Sequence, residues 1–245
     1  MIEVLKLSKS FSGRPVLREV DLTVEEGKTL VVIGRSGCGK SVVLKHLIGL
    51  LKPDSGQVLV DGDDIVGYPE RKLTAVRRKI GMLFQSAALF DSMSVEANLA
   101  FPLREQGMKD EKEIDARVAE ALDMVELAGE QLKMPADLSG GMRKRVGLAR
   151  TIVGRPRCVL YDEPTTGLDP ITSDSINHLI RRLQRRLGVT SIVVTHDMKT
   201  AFHCADRVAL LHEGRVHYDG SVEGLKASTD SVITDFIVGR SGESD

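Results

Sequence analysis

The chain has 245 residues, of which 42% are hydrophobic and 28% charged, and its formal net charge is −1. That length can bury a sizeable core, either as one large domain or as a main domain with an inserted lobe. The near-neutral balance gives no reason to expect a nucleic-acid partner, and no apolar run nears the ~18 residues that suggest a membrane span.

Met1, Ile2, Glu3 and Val4 lack a basic-then-apolar export pattern. Cys38, Cys158 and Cys204 are widely spaced and read as reduced thiols. A cytoplasmic setting is therefore expected. Residues 1–27 alternate apolar and polar positions, as at Ile2, Val4 and Leu7 and then Val20, Leu22 and Val24. This predicts short, half-buried strands that turn near Ser12 and Gly13. Residues 29–33 form an apolar strand that runs into a glycine-rich loop, and residues 41–51 read as the helix after it. Lys52, Pro53, Asp54, Ser55 and Gly56 stop that helix. Residues 57–60 and 80–84 are further strands. From about Ala87 to Gly154 the pattern turns helical, with Ile114, Val118, Ala121, Leu122 and Val125 at helical spacing. Alternation of strand and helix then returns: strand 158–161, helix 171–187, strand 191–195, a short helix 201–204 and strand 208–212. Parallel strands linked by helices follow from such a pattern. Beyond Gly220 the tail reads as two short helices and a polar, frayed end over residues 239–245.

The loop Gly34, Arg35, Ser36, Gly37, Cys38, Gly39, Lys40, Ser41 has a strand before it and a helix after it, the context a phosphate-binding loop requires. Its glycines let backbone N–H groups wrap phosphates, and the helix start adds a favourable dipole. Lys40 supplies a point charge to the β- and γ-phosphates, and the Ser41 hydroxyl suits Mg²⁺. Asp162 and Glu163 end an apolar strand. Asp162 is expected to hold Mg²⁺, and Glu163 to polarise the attacking water as general base. Ser139 is a good N-cap for a helix over 142–153, so Ser139, Gly140 and Gly141 present N–H groups that suit a second anion. By itself that string is equally an ordinary capped helix.

The order and spacing of Gly34 to Ser41, Gln85, Leu138 to Met142, Leu160 to Glu163, Gly167-Leu168-Asp169 and Thr195-His196 resemble those of ATP-binding cassette (ABC) ATPases. The resemblance covers essentially the whole chain. It implies an α/β fold: a P-loop NTPase core with a mainly parallel sheet, an N-terminal antiparallel β subdomain and an inserted helical subdomain. Within a single 1–245 domain the core would occupy 1–86 and 155–220, the helical subdomain 87–154 and a helical tail 221–245. It also implies ATP and Mg²⁺ as cofactors and a head-to-tail homodimer. Each ATP would lie between the loop of one copy and Ser139, Gly140 and Gly141 of the other. Gln85 matches the glutamine that contacts Mg²⁺ or the attacking water. His196 matches the histidine that holds the γ-phosphate, and Asp169 the aspartate that crosses the dimer interface. Phe11 lies where the family stacks an aromatic ring on adenine. Met142 departs from the commoner glutamine without removing any catalytic group.

A narrower resemblance runs through Gln85 to Val95, Phe101 to Glu105, Ser139 to Arg150 and Phe236 to Arg240. These strings look like the ATPases of Mla/Mce-type lipid transporters. That likeness implies phospholipid or other hydrophobic cargo, an integral-membrane permease, Mce-domain and STAS-domain subunits, and the cytoplasmic face of the inner membrane. An importer ATPase for a small polar solute is the alternative, and a soluble non-transport ABC ATPase a more distant one. Ala87, Ala88, Leu89, Phe90 and Met93 read equally as a docking surface for the permease and as packing inside the helical lobe. Arg77, Arg78, Lys79, Arg181, Arg182, Arg185 and Arg186 read as solvated charge. Cys38, at a helix start, is expected to have a lowered thiol pKa and to react with alkylating agents unless ATP protects it.

Overall fold

The structure, a computed structural model, describes residues 1–240. The expected fraying over 239–245 therefore falls almost wholly outside the described residues.

In chain order, β1 (Ile2–Phe11) and β2 (Arg14–Val24) form an antiparallel hairpin, and β3 (Thr29–Ile33) leads through the glycine-rich loop to α1 (Lys40–Leu47). β4 (Ser55–Val60), β5 (Asp63–Asp64), α2 (Glu70–Lys79) and β6 (Ile80–Leu83) follow. The segment up to Arg157 is helix and turn: α3 (Val95–Glu105), α4 (Glu111–Met124), a 3₁₀ turn at Pro135–Asp137 and α5 (Gly140–Ile152). Then come β7 (Cys158–Asp162), α6 (Pro170–Leu187), β8 (Thr190–Thr195), α7 (Met198–Cys204), β9 (Arg207–His212), β10 (Arg215–Gly220), α8 (Val222–Lys226) and α9 (Ser231–Val238).

Among the described residues, a six-stranded sheet runs β10-β9-β3-β8-β7-β6 and a four-stranded sheet runs β2-β1-β4-β5. The larger sheet is parallel apart from its edge strand β10. Its centre, β3, β8 and β7, is buried at every residue. This is why those strands read as continuous apolar runs and not as alternation. The two faces feed two cores. Val31 and Ile33 of β3 pack with α3 to α7, whereas Leu30 and Val32 pack with α1 and the antiparallel sheet.

Parallel register has a functional result. Ile33 pairs with Thr195, Asp162 with Val194 and Leu83 with Tyr161, so four strands end on one edge. The residues that follow them, Gly34, Glu163, His196 and Gln85, leave the sheet together, as ligand-binding residues do in α/β folds.

Three elements lay outside the sequence reading. α2 buries only Leu73 and Val76, too few apolar positions to show a helical period. β5 is two aspartates, and β10 is an edge strand without a fully buried residue. Arg77 is also more than solvated charge. Its guanidinium donates to the Ile48 carbonyl (2.9 Å) at the end of α1.

Candidate functional site

The glycine-rich loop needs glycine for two physical reasons. Gly37 and Gly39 have φ of 81° and 106°, the left-handed region that glycine enters without strain. A Cβ at Gly39 would also lie 2.7 Å from the Leu17 side chain. The β1–β2 hairpin thus closes against the back of the loop.

The cleft above the loop has a volume of about 270 Å³, and its lining includes Gly37, Lys40, Ser41, Gln85, Glu163 and His196. Lys40 is buried, and its Nζ donates to the carbonyls of Gly34 (2.7 Å) and Arg35 (3.1 Å). It also lies 3.6 Å from Glu163 Oε1. The Ser41 hydroxyl donates to Asp162 Oδ1 at 2.7 Å. On the other side His196 Nδ1 donates to Glu163 Oε2 at 2.9 Å, and the Thr166 hydroxyl donates to the same oxygen at 3.2 Å. Gln85 is exposed at the cleft wall.

Burial pushes the Asp162 carboxyl above its ordinary range, the Ser41 hydroxyl pulls it back, and the neighbouring Glu163 charge adds to the rise. Glu163 has a φ of 48°, a left-handed backbone that a non-glycine residue adopts only when its surroundings impose it. Its N–H donates to Val194 O (3.0 Å), and its carbonyl accepts from Lys144 Nζ (3.3 Å).

Other expected residues stand apart from this cleft. Ser139 caps α5, its Oγ accepting from Met142 N at 3.2 Å. A Cβ added at Gly140 would meet Leu168 at 3.5 Å, and one at Gly141 would meet Thr172 at 2.6 Å. The start of α5 therefore lies against the start of α6. Asp169 caps α6 there, accepting from Ile171 N and Thr172 N (3.0 Å each), and the Thr172 hydroxyl first, then these N–H groups, hold its carboxyl below the usual range. Neither group lines the cleft. Phe11, at the hairpin end, is 42% exposed and faces Lys9 Nζ at 5.7 Å. Arg35 reaches outward, donating to the Arg240 carbonyl (3.0 Å).

Cys38 corrects an expectation. Burial is the largest influence on its thiol and raises the pKa, against the lowering pull of Lys40. Burial thus outweighs the lowering influence expected of a helix start.

The donor set fits Mg²⁺ and a nucleotide phosphate. Ser41 and Asp162 offer two hard oxygens side by side, and no group of three or more His, Cys, Asp or Glu able to hold a metal occurs among the described residues. Mg²⁺ characteristically takes one or two carboxylates and completes its shell with water and phosphate oxygens.

Comparison with known proteins decides the family. The profile described as "ABC transporter" matches residues 17–166. The chain belongs to the ABC transporter family. It is 42% identical over 239 residues to the "Probable ribonucleotide transport ATP-binding protein mkl" of Mycobacterium tuberculosis, covering 98% of this chain and 67% of that protein. It is 41% identical over 239 residues to the "Methionine import ATP-binding protein MetN" of Mesorhizobium japonicum, covering 98% of this chain and 65% of that protein. Among solved structures it is similar to the ATP-binding cassette MJ0796, a dimer in a post-hydrolysis state bound to ADP and Pi. The TM-score is 0.83 at 32% identity, over 91% of this chain and 99% of that one. The α/β cassette fold is thus as expected, and the chain is an ABC-type ATP hydrolase that uses ATP and Mg²⁺.

Lys144, Asn98 and Arg150 escaped the sequence reading of this site. The Asn98 side chain, fully buried, bonds the backbone of Phe90, Met93 and Ser94. Arg150 donates to the Ala87 carbonyl (2.9 Å). Both shape the loop after Gln85. Their only sequence signal is polarity on helices whose other buried positions are apolar.

Proposed function

We propose that the chain is the energising subunit of an ABC importer, working as a head-to-tail homodimer around two ATP. The observation that carries this is the division of the nucleotide groups into two separate places. Gly34 to Ser41, Asp162, Glu163, Gln85 and His196 surround the cleft, whereas Ser139, Gly140, Gly141 and Asp169 gather at the starts of α5 and α6. A second copy turned end to end supplies the missing half. The dimeric state of MJ0796 supports the reading.

In this assembly Lys40 and the loop N–H groups bind the phosphates, and Ser41, Asp162 and Gln85 hold Mg²⁺. The metal supplies charge neutralisation to the transferring phosphoryl group. Glu163 accepts a proton from the attacking water, and His196 orients Glu163 and the γ-phosphate. Phe11 stacks on adenine, and Asp169 crosses to the partner copy. Residues 87–154 act as a lobe that moves relative to the core.

A groove of about 490 Å³, with Phe84, Ala88, Phe90, Phe101 and Pro102 in its wall, lies on the outer side of the loop after Gln85. Phe90 and Phe101 meet edge to face at 4.9 Å and are 41% and 36% exposed. This is where an integral-membrane permease would dock. No helix among the described residues is long and apolar enough to cross a membrane, so attachment to the membrane face would be peripheral. The names of mkl and MetN favour a small polar solute as cargo. Phospholipid cargo, with Mce-domain and STAS-domain subunits, is a second reading that rests on the strings from Gln85 to Val95 and Ser139 to Arg150.

Mixing two inactive variants tests the shared site. Lys40→Ala removes the phosphate charge and Ser139→Arg blocks the α5 start. A mixed dimer has one doubly damaged site and one intact site, so hydrolysis returns on mixing. Persistent inactivity of a mixture shown to form mixed dimers would sink the arrangement. The cargo is tested with the permease in lipid nanodiscs: methionine or a ribonucleotide other than ATP should stimulate hydrolysis, and stimulation by added phospholipid alone would transfer the assignment to the second reading.

A further inference from the structure

We propose that Lys144 is a positioning residue for hydrolysis, tying the backbones of Gln85 and Glu163 to the helix that opens at Ser139. The inference deepens the site reading above and rests on Glu163 as the general base.

Lys144 lies one turn into α5 and is 6% exposed. Its Nζ donates to the Gln85 carbonyl and, at 3.3 Å, to the Glu163 carbonyl. It makes no ion pair among the described residues, and burial lowers its pKa against the opposing pull of Asp162 and Glu163. A buried cation with only carbonyl partners is a costly way to fill a helix–loop interface, where an apolar side chain packs more cheaply. What a cation adds is the capacity to bind two carbonyls from separate strands at one point.

Both partners need such restraint. Glu163 has a left-handed backbone, and Lys144 and Val194 satisfy its carbonyl and its N–H respectively. Gln85 precedes Ala87 and Ala88, with φ of 62° and 47°. The same helix presses that loop further along: a Cβ at Gly147 would lie 2.9 Å from the Ala87 Cβ, and Arg150 binds the Ala87 carbonyl. A displacement of α5 therefore reaches Gln85 and Glu163 through one ammonium group.

The test compares the full-length wild-type chain with Lys144→Met, Lys144→Arg and Glu163→Gln. Hydrolysis is followed against MgATP concentration, nucleotide binding with trinitrophenyl-ATP, and folding by thermal melting. Lys144→Met fills the same space and donates nothing. Its kcat should fall by up to about 100-fold, the scale of a misplaced catalytic group, with nucleotide Kd unchanged. Lys144→Arg, which keeps the donors, should recover most of that loss. Lys144→Met with kcat within about twofold of wild type would overturn the proposal on the same criterion. So would equal losses of kcat and nucleotide affinity, or failure of both Lys144 variants to fold, since these mark a merely structural side chain. Glu163→Gln separates the two readings: wild-type turnover in that variant removes the base itself, whereas its inactivity beside a fully active Lys144→Met removes only the role of Lys144.

Discussion

At the C-terminal edge of the parallel sheet, Lys40, Ser41, Asp162, Glu163 and His196 interact with one another, whereas Ser139 at the start of α5 caps only its own helix. The first region is set by strands that end in register. The second lies apart from the cleft of its own chain, against the start of α6. In the proposed dimer, binding and proton transfer fall to the first region and completion of the partner copy's site to the second.

The sharpest way to break this contrast is Glu163→Gln. Turnover should fall by about 10²–10⁴-fold, the usual worth of a general base, and an ATP-bound dimer should accumulate on gel filtration. A monomer with wild-type turnover would put the chemistry elsewhere. Phe90→Asp acts outside both regions. It should cut co-purification with the permease and leave nucleotide binding intact, and unchanged co-purification would leave the groove without a role.

Replacing Asp162 carries a smaller effect on stability, in the stabilising direction. Its pKa in the folded chain is raised, so the folded state favours the protonated carboxyl, and ionisation at neutral pH costs stability. Asp162→Asn should therefore raise the melting temperature of the nucleotide-free chain at pH 7 while removing Mg²⁺-dependent hydrolysis. A lower melting temperature would mean that the bond to Ser41 outweighs burial. The smallest effect concerns Glu126, whose carboxyl is held below the usual range by Arg145 and Arg182. That stabilisation is present above the ordinary glutamate pKa and is lost as pH falls through the lowered value. Glu126 is half exposed, so screening limits each pair to under about 1 kcal/mol. Glu126→Gln should flatten the acid limb of the melting curve slightly.

The cleft was legible in the sequence because phosphate chemistry demands glycine, lysine, hydroxyl and carboxylate at set distances from strand ends. The parallel sheet was legible because buried strands carry unbroken apolar runs. Lys144 was not, since its meaning depends on the fold bringing Gln85 and Glu163 to one point. Cys38 misled for a related reason: its place at a helix start is a local fact, while its burial belongs to the whole fold. The apolar string after Gln85 divided between its two readings, with Ala87 buried against Gly147 and Phe90 left partly exposed.

The helices α3 to α9 each begin at a serine or aspartate whose side chain accepts from the first turn. α1 begins at Gly39 and has no such cap. Glycine at that position costs a helix only about a few tenths of a kcal/mol relative to serine or aspartate, and a ligand that binds only the folded form adds stability that grows with the logarithm of its concentration relative to Kd. A phosphate at this helix start would satisfy N–H groups that no side chain caps, so the first turn of α1 should tighten as the site fills. Amide hydrogen exchange at Lys40, Ser41 and Val42 would act as a built-in gauge of how full the site is.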